Sequence, residues 1–465
     1  MSRSPSKRRI ALSVLICSHL SATPALSAQV VSETASQAIE FSPEVRTSWY
    51  SFQGTGDDLD TARAGYRPTL DFYANYGREI RTGSGWSTGT QSPFNGGRAE
   101  LSFVQMLYDG FQTSGNVASA QGTRLVSYFQ LIEQVQDTVL NAVTAHLDVV
   151  RHRQLVQLAE NNLNEHRKVY RQIELSSGAG VGNNADLDQI TGRLALAHAN
   201  LITARNSLRD VETRYQRVVG SMPPEDLLPP EPLTMPSSST QALHSALKGN
   251  PGFLASLYRI QASEGSVKAS KSGYHPELNL TATYGSQDYD DLGLDNSRTD
   301  GRIALELHYN LYNGGRDKAA IRKAYNGVNQ SKAQRDSACT DVRQNIQVAY
   351  EDARKFQDQI PVLRQHLEST DRVRQAYKDQ FLIGRRSLLD VLDAEDEYFQ
   401  ASRSLVNAEA DYTLATAEIE AASGKLLSDL GIMKEDLPTL ADLDAERIPV
   451  DPETACPSGS TASPY

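Results

Sequence analysis

The chain has 465 residues, 22% of them charged and 39% hydrophobic, and its formal net charge at pH 7 is −11. An acid excess of this size argues against nucleic acid as a partner, because phosphate binding needs a basic surface. The nine histidines form no cluster with metal-site spacing, and no nucleophile and base stand in a catalytic arrangement. Neither an enzyme nor a resident metal or cofactor is expected.

The first 28 residues have the layout of a secretory signal peptide. Four basic residues precede the apolar run Ile10–Leu20, and small residues follow in "ATPALSAQ". The apolar run is too short to span a bilayer as a helix. Cleavage near Ala28 is expected to release an exported chain.

The remainder of the chain contains an internal duplication, in which one sequence unit occurs twice. "GYRPTLDFYANYG" at 65–77 matches "GYHPELNLTATYG" at 273–285, and "RAELSFVQMLYDG" at 98–110 matches "RIALELHYNLYNG" at 302–314. These matches predict a first repeat over 29–220 and a second over 241–424. A linker with six prolines, 221–240, separates them, and 425–465 is expected to form an equatorial segment and a disordered tail.

Each unit contains two segments of about ten residues in which apolar and polar residues alternate. Pro68 and Pro276 stand at the start of the first strand in each unit, and the predicted strands are 68–77, 98–108, 276–285 and 302–311. The connections are polar, and the second holds five aspartates in "SQDYDDLGLDNSRTD". It is expected to be a solvated loop, because it lacks the spacing of a calcium-binding loop.

The rest of each unit shows heptads typical of coiled coils, with many alanines at the seam. The predicted helical segments are 113–176, 185–219, 241–272, 317–383 and 388–424. The long segment 317–383 has 67 residues, about 100 Å of helix. The segments 185–219 and 241–272 together have the same number, which predicts two half-length helices stacked beside one long helix. A kink is expected at Pro361.

Four strands of this length can cross a bilayer but cannot close a barrel, and an open sheet edge is not tolerated in lipid. Several copies must therefore share one barrel. The predicted fold class is a mixed α and β membrane protein with an internal duplication.

The chain resembles the TolC-like outer-membrane efflux protein family. The resemblance rests on "GYRPTLDF" and "GYHPELNL", on "LYDG" and "LYNGG", and on "IGRRSLLDVLDAEDEYFQASRSLVNAEADY". It implies a homotrimer with a 12-stranded β-barrel in outer-membrane lipid of a Gram-negative bacterium, continued by a coiled-coil tunnel in the periplasm. It also implies a passive exit duct that works with a periplasmic adaptor and an inner-membrane ABC or other transporter.

The tip of the second unit is most similar to members that serve type I protein secretion. Drug or metal efflux is the alternative within the channel class, and a soluble periplasmic coiled-coil scaffold is a remote alternative.

By the same resemblance, Asp390 and Asp393 match two aspartates that ring the tunnel entrance, and Arg386 matches an arginine that holds the closed state. The other expected gate residues are Arg385, Asp186 and Asp188. The tip turns expected to contact the adaptor are Gly180, Val181, Gly182, Ile383 and Gly384. In the alternative interpretation Asp390 is an ordinary acid at a helix N-terminus. The acids 395–397 are expected to form a solvated helix face.

Two cysteines remain after the predicted cleavage, in a compartment where disulfides persist. Cys456 stands in a tail rich in proline, serine and glycine, and Cys339 stands in a predicted helix. A disulfide between them and a pair of free thiols both remain open.

Overall fold

The computed structural model describes residues 30–80, 93–179, 182–291, 294–432, 437–451, 454 and 456. The predicted signal peptide lies outside these residues. Among the described residues, no helix is both long enough and apolar enough to cross a membrane.

In chain order, the main elements of the described residues are α1 (Val31–Phe41), α2 (Pro43–Ala64), β1 (Thr69–Ile80), β2 (Pro93–Tyr108), α3 (Gln112–Gly178), α4 (Asn184–Val219), α5 (Ser239–Gly249), α6 (Pro251–Ser270), β3 (Glu277–Asp291), β4 (Leu294–His308), α7 (Arg316–Leu382), α8 (Leu388–Ala422) and α9 (Leu426–Asp429). The two long helices, α3 and α7, have 67 residues each. Pro361 lies inside α7, which continues as one helix across it.

The four strands form one antiparallel sheet in the order β1-β2-β3-β4. Cross-strand partners share a face, so the register assigns every side chain to one of two faces. One face is apolar and carries rows such as Leu70, Phe103, Ala282 and Ile303. The opposite face carries polar rows such as Asp71, Ser102, Thr283 and Arg302.

The second hairpin is longer than the alternation predicts. Most of the segment expected to be a solvated loop pairs as strand, up to Asp291 opposite Leu294. The prediction of a loop was wrong because it relied on side-chain polarity, whereas the ladder is made by backbone groups, and up to Tyr289 this segment pairs with β2 as well as with β4. At the other end, β4 stops at His308, before the predicted limit at Leu311.

Two of the half-length helical segments, one in each unit, are broken once, whereas α4 and α8 are continuous. The segment 241–272 is divided at Asn250 into α5 and α6, and the corresponding segment of the first unit is divided at Ser42 into α1 and α2. A proline follows each of these positions and disfavours helical backbone at the residue before it. Both break residues then serve as N-caps, since their side chains accept hydrogen bonds from Val45 N and Phe253 N.

Small residues set the distance between α3 and α6. A Cβ added at Gly115 would lie 2.3 Å from the backbone nitrogen of Ala269, and one at Gly122 would lie 2.7 Å from that of Ala262. From the opposite helix, a Cβ at Gly265 would lie 2.4 Å from the nitrogen of Ser119. The seam rich in small residues therefore lets these two backbones touch, as the alanine-rich heptads predict.

The C-terminal segment is packed against the middle of the helices. The Tyr258 hydroxyl donates to the Glu446 carbonyl at 2.9 Å, and Gln121 Nε2 donates to the Leu443 carbonyl at 2.8 Å. The structure joins Cys456 to Cys339 of α7 by a disulfide, with a Cα–Cα distance of 5.8 Å. Residues 457–465, where a disordered tail is predicted, lie outside the described part of the chain.

A buried histidine links the first helix to α3 and to the proline-rich linker. His146 Nε2 lies 2.8 Å from the Leu228 carbonyl, and Nδ1 lies 2.9 Å from Thr34 Oγ1. A carbonyl only accepts, so Nε2 carries the proton and Nδ1 accepts from the threonine hydroxyl. Burial lowers the pKa of His146, the Arg153 charge adds to this effect, and the Leu228 bond partly opposes it.

This network predicts a loss of stability in mild acid. The unfolded chain binds the proton more readily than the folded one, so stability falls as the pH drops below the ordinary histidine pKa of about 6.5, by up to about 1.4 kcal/mol per pH unit. The His146→Gln variant should lose this part of the pH dependence in thermal unfolding between pH 7 and 5. The exposed His366 provides a control, His366→Gln, which should keep it. Equal slopes in all three proteins would contradict the prediction.

Candidate functional site at the tip of the long helices

The turn after α7 is fixed by its own backbone. Gly384 has φ +75°, its N–H donates to the Phe381 carbonyl at 2.9 Å, and the Arg385 N–H donates to the Gln380 carbonyl at 2.8 Å. This pair of bonds is a Schellman motif, in which glycine takes the left-handed position. Ile383, predicted to contact an adaptor, is the C-cap of α7 and is exposed.

Asp390 belongs to the cap of α8. Ser387 Oγ accepts from the Asp390 N–H at 3.2 Å, and Asp390 Oδ2 accepts from the Ser387 N–H at 3.1 Å, which completes a capping box. The bonds from the Ser387 hydroxyl and N–H lower the pKa of Asp390, and the Arg386 charge adds to them. The carboxylate of Asp390 therefore caps the N-terminus of α8, and its pKa lies below the ordinary aspartate value.

The Arg386 side chain contacts residues that are near it in the sequence, at the end of α7 and the start of α8. Its Nη1 lies 3.8 Å from Asp390 Oδ1, its Nε donates to Gln380 Oε1 at 3.2 Å, and its guanidinium lies 4.2 Å from the centroid of the Tyr377 ring. These contacts hold the guanidinium against the end of α7. Arg385 is exposed, and its side chain forms no ion pair with a described residue.

Asp393 has a different partner. Its Oδ1 accepts from Arg193 Nη2 at 2.8 Å, which joins α8 to α4. The Asp393 side chain remains 58% exposed, so this is a surface ion pair. Asp390 and Asp393 therefore face two different arginines rather than sharing one. Sequence reasoning missed Arg193, because nothing in a single sequence shows that α4 and α8 both pack against α3.

The first tip is built on the same plan with less charge. Asn183 caps α4 by accepting from the Ala185 N–H at 3.0 Å, and Asp186 stands three residues after it, as Asp390 does after Ser387. Asp188 is exposed, and neither acid forms an ion pair with a described residue. Gly182 N donates to the Ser176 carbonyl at 2.9 Å. Gly180 and Val181 lie outside the described residues.

A small apolar cluster holds the two tips together. It joins the end of α3, the start of α4 and the start of α8, and its buried members are Ile173, Ile190, Leu388 and Leu392. The end of α7 is attached mainly through α8, with Phe381 packed against the edge of the cluster. The charged residues of both tips are thereby held at one end of the helices.

Glu395 is buried, which corrects the prediction of a solvated face. Its side chain is 3% exposed, and its carboxylate lies 2.5 Å from Lys378 Nζ and 3.6 Å from Arg374 Nη1. Lys378 also contacts Glu165 Oε2 at 2.9 Å, so the network joins α3, α7 and α8. Glu397, two residues along, is exposed as predicted.

The sequence contained a signal for this burial. Val391, Glu395 and Phe399 are spaced by four, so they share one face of α8, and the two flanking residues are apolar. Charge alone suggested a surface residue, whereas position on an apolar stripe identifies a buried one. A buried acid then requires cations on the neighbouring helices.

The remaining predicted residues lie elsewhere. Pro68 and Pro276 directly precede β1 and β3, at the junction of the sheet and the helices. In the described part of the chain, no group of three or more histidine, cysteine or acidic side chains is placed to hold a metal ion.

The fold defines the class of protein. The structure matches the crystal structure of the outer membrane protein VceC from Vibrio cholerae with a TM-score of 0.74 and 17% identity, over 85% of this chain and 96% of that one. The chain therefore shares the fold of that outer membrane protein, a four-stranded antiparallel sheet joined to very long paired helices.

The sequence identifies the family. The family model described as "Outer membrane efflux protein" matches residues 34–221 and 242–425. The chain belongs to this family. It is 29% identical to the outer membrane efflux protein BepC of Brucella suis, over 80% of each chain. It is also 23% identical to the alkaline protease secretion protein AprF of Pseudomonas aeruginosa, over 84% of this chain and 83% of that one.

The buried network predicts that Glu395→Gln destabilises the tip. The change leaves Lys378 and Arg374 without their buried counter-charge, at a cost of about 2–3 kcal/mol, below that of a fully buried pair because both cations are partly exposed. Hydrogen exchange of the amides in 374–402 should become faster. Glu397→Gln, on the same helix but exposed, is the matched control and should leave exchange unchanged. Identical protection in both variants would show that the network adds nothing.

Proposed function

We propose that the protein is the outer-membrane duct of a tripartite export system, assembled from three copies of this chain. The observation that carries the proposal is the sheet, which has one apolar face and two unpaired edges, β1 and β4. Its apolar side chains are exposed in the single chain, 72% for Phe72 and 80% for Ile303. Lipid is the environment that suits such a face, and only closure with further copies removes the edges.

The helices supply the rest of the duct. A helix of 67 residues is about 100 Å long, far more than the barrel needs, so it must extend into the periplasm. No energy source is expected in such a tube, so a separate inner-membrane transporter, of the ABC type or another, would drive transport. A periplasmic adaptor would bridge that transporter to the exposed tip turns around Gly182 and Gly384.

The favoured cargo is protein exported by type I secretion. Similarity to AprF, named for alkaline protease secretion, supports this cargo. The sequence of the second tip also supports it, because it resembles family members that serve type I secretion. Similarity to BepC, named as an efflux protein, supports the alternative of a drug or metal efflux pump. The two cargo hypotheses predict different phenotypes for a strain that lacks the protein: loss of secreted proteins or loss of resistance to toxic compounds.

Deletion of the gene tests the function and the cargo together. The wild-type chain should be found in the outer-membrane fraction as an oligomer that dissociates on heating. Deletion should remove one or a few proteins from the culture medium while susceptibility to antibiotics and metals stays the same. An unchanged set of secreted proteins with raised susceptibility would favour efflux. A soluble monomer in the periplasm would overturn the duct itself.

The tip is the proposed gate. In a trimer, Asp390 and Asp393 would each appear three times around a narrow axis and form a negative ring that binds cations. Asp393 is partly neutralised by Arg193 in the protomer, at 2.8 Å. Arg386 holds the second turn against α7 and would restrain the closed state until the adaptor engages.

The gate predicts opposite effects for two tip residues. Asp393→Asn should weaken block of single-channel current by multivalent cations roughly tenfold, since several like charges leave the ring. Arg193→Ala should strengthen block, because it frees the Asp393 carboxylate. Glu397→Gln is the control and should leave block unchanged. Unchanged block in both Asp393→Asn and Arg193→Ala would place Asp393 away from the lumen.

A further inference from the structure

Aromatic side chains cover the end of the apolar face that meets the helices. Tyr108 is on this face, paired with Leu278. The Phe111 ring packs edge-on against Tyr108 at 5.7 Å and against His275 at 6.1 Å. Aromatic rings are favoured at the level of lipid headgroups, so this cluster marks the lower limit of the membrane-facing surface.

Phe111 is held in an unfavourable backbone conformation. Its φ is +71°, in the left-handed region, directly after Gly110 with φ +65°. The corresponding residues of the second unit are Gly314 and Gly315, with φ of +72° and +86°. Glycine fits this conformation without strain, whereas phenylalanine does not. A strained aromatic residue where the other copy has glycine suggests that the ring itself serves a purpose.

Two lysines lie directly below this cluster. Lys268 Nζ lies 5.7 Å from the Phe111 ring centroid, and Lys271 Nζ lies 5.4 Å from that of Tyr325. Lys268 is in the last turn of α6, and Lys271, three residues later, is its C-cap, so the two side chains start close together. Lys268 then extends toward α3 and Lys271 toward α7, and both are exposed. Neither forms an ion pair with a described acid. In a chain of net charge −11, this places two free ammonium groups at the edge of an apolar surface.

The helix that carries these lysines is enclosed on both sides by its own chain. Between the linker and the sheet, α6 packs against α3 on one side and α7 on the other. The helices that flank Lys268 and Lys271 therefore belong to the same chain, not to a neighbouring copy. Because Lys268 lies against Phe111, and Phe111 against Tyr108 of the apolar face, Lys268 lies on the lipid side of the wall, with Lys271 one helical turn further along the chain.

We infer that this end of the sheet binds an anionic phospholipid, with its phosphate at Lys268 and Lys271 and its acyl chains along the apolar face above Tyr108. Ammonium groups at the membrane surface attract anionic headgroups, and the rings of Phe111 and Tyr325 keep the two lysine side chains in place. The inference rests on the proposed membrane-embedded sheet and adds a lipid class and its ligands.

Native mass spectrometry of the purified full-length protein in detergent tests the site. The probes are phosphatidylglycerol and phosphatidylcholine with the same acyl chains. Wild-type protein should prefer phosphatidylglycerol, and Lys268→Gln/Lys271→Gln should lower its affinity roughly 30-fold, from about a fivefold loss per lysine. Lys355→Gln is the matched control, because Lys355 lies 4.1 Å from the Phe356 ring on α7, far from the sheet. It should change nothing.

A second variant addresses the strained residue. Phe111→Gly gives this position the residue found at 315, so the chain can fold, and removal of the ring should cause a smaller loss of selectivity than the lysine changes. Unchanged selectivity in the double lysine variant would overturn the inference. Displacement of the lipid by inorganic phosphate at equal concentration would also overturn it, since the site would then bind the ion alone.

The lipid site and the duct fail in different ways. A wild-type chain that forms no heat-dissociable oligomer in the outer membrane contradicts the duct. An oligomeric wild type that binds both lipids equally contradicts only the lipid site.

Discussion

Backbone hydrogen bonding at the edges of one small sheet governs the rest of the molecule. Strands β1 and β4 each have a partner on one side only. In water such edges could be left to solvent, but beside an apolar face meant for lipid each unpaired N–H and C=O costs several kcal/mol. In the proposed duct, closure between copies satisfies these groups, and the helical tunnel below the sheet follows from that closure. In such an assembly, the helices attached to the closed barrel would line a tunnel, and each residue at their tips would occur once per copy around its axis.

The duplication shows which parts of the unit are constrained and which are free. Asn183 and Ser387 occupy equivalent positions and both cap a helix, and the acids three residues later are equivalent too. In contrast, Val181 and Gly182 of the first tip correspond to Arg385 and Arg386 of the second. Helix capping is needed twice because there are two helix starts. The charge of the two tip turns is not needed for capping, and it differs between the first and the second tip.

The sequence predicts those features that depend on periodicity or on a repeat. Alternation located all four strands, and heptads located the long helices to within two residues of their observed ends. It could not predict pairs that depend on the placement of distant helices. Arg193 and Asp393 are 200 residues apart, and the packing of both α4 and α8 against α3 brings them together. Glu395 lies between these cases, because its stripe was visible in the sequence but the cations that make its burial tolerable are on other helices.

The two ends of the helical wall are held together by different forces, and this bears on how such a tube can open. Near the sheet, α3 and α6 meet at glycines where a Cβ would collide with backbone, so the contact has no room to slide. Near the tip, the helices are joined by a small apolar cluster and by ion pairs, of which Lys378–Glu165 and Arg193–Asp393 are partly exposed. Water can replace an ion pair that is partly exposed, but it cannot replace close backbone packing. In the proposed duct, opening is therefore expected to begin at the tip and to stop before it reaches the sheet, so the proposed barrel can stay closed while the proposed gate moves.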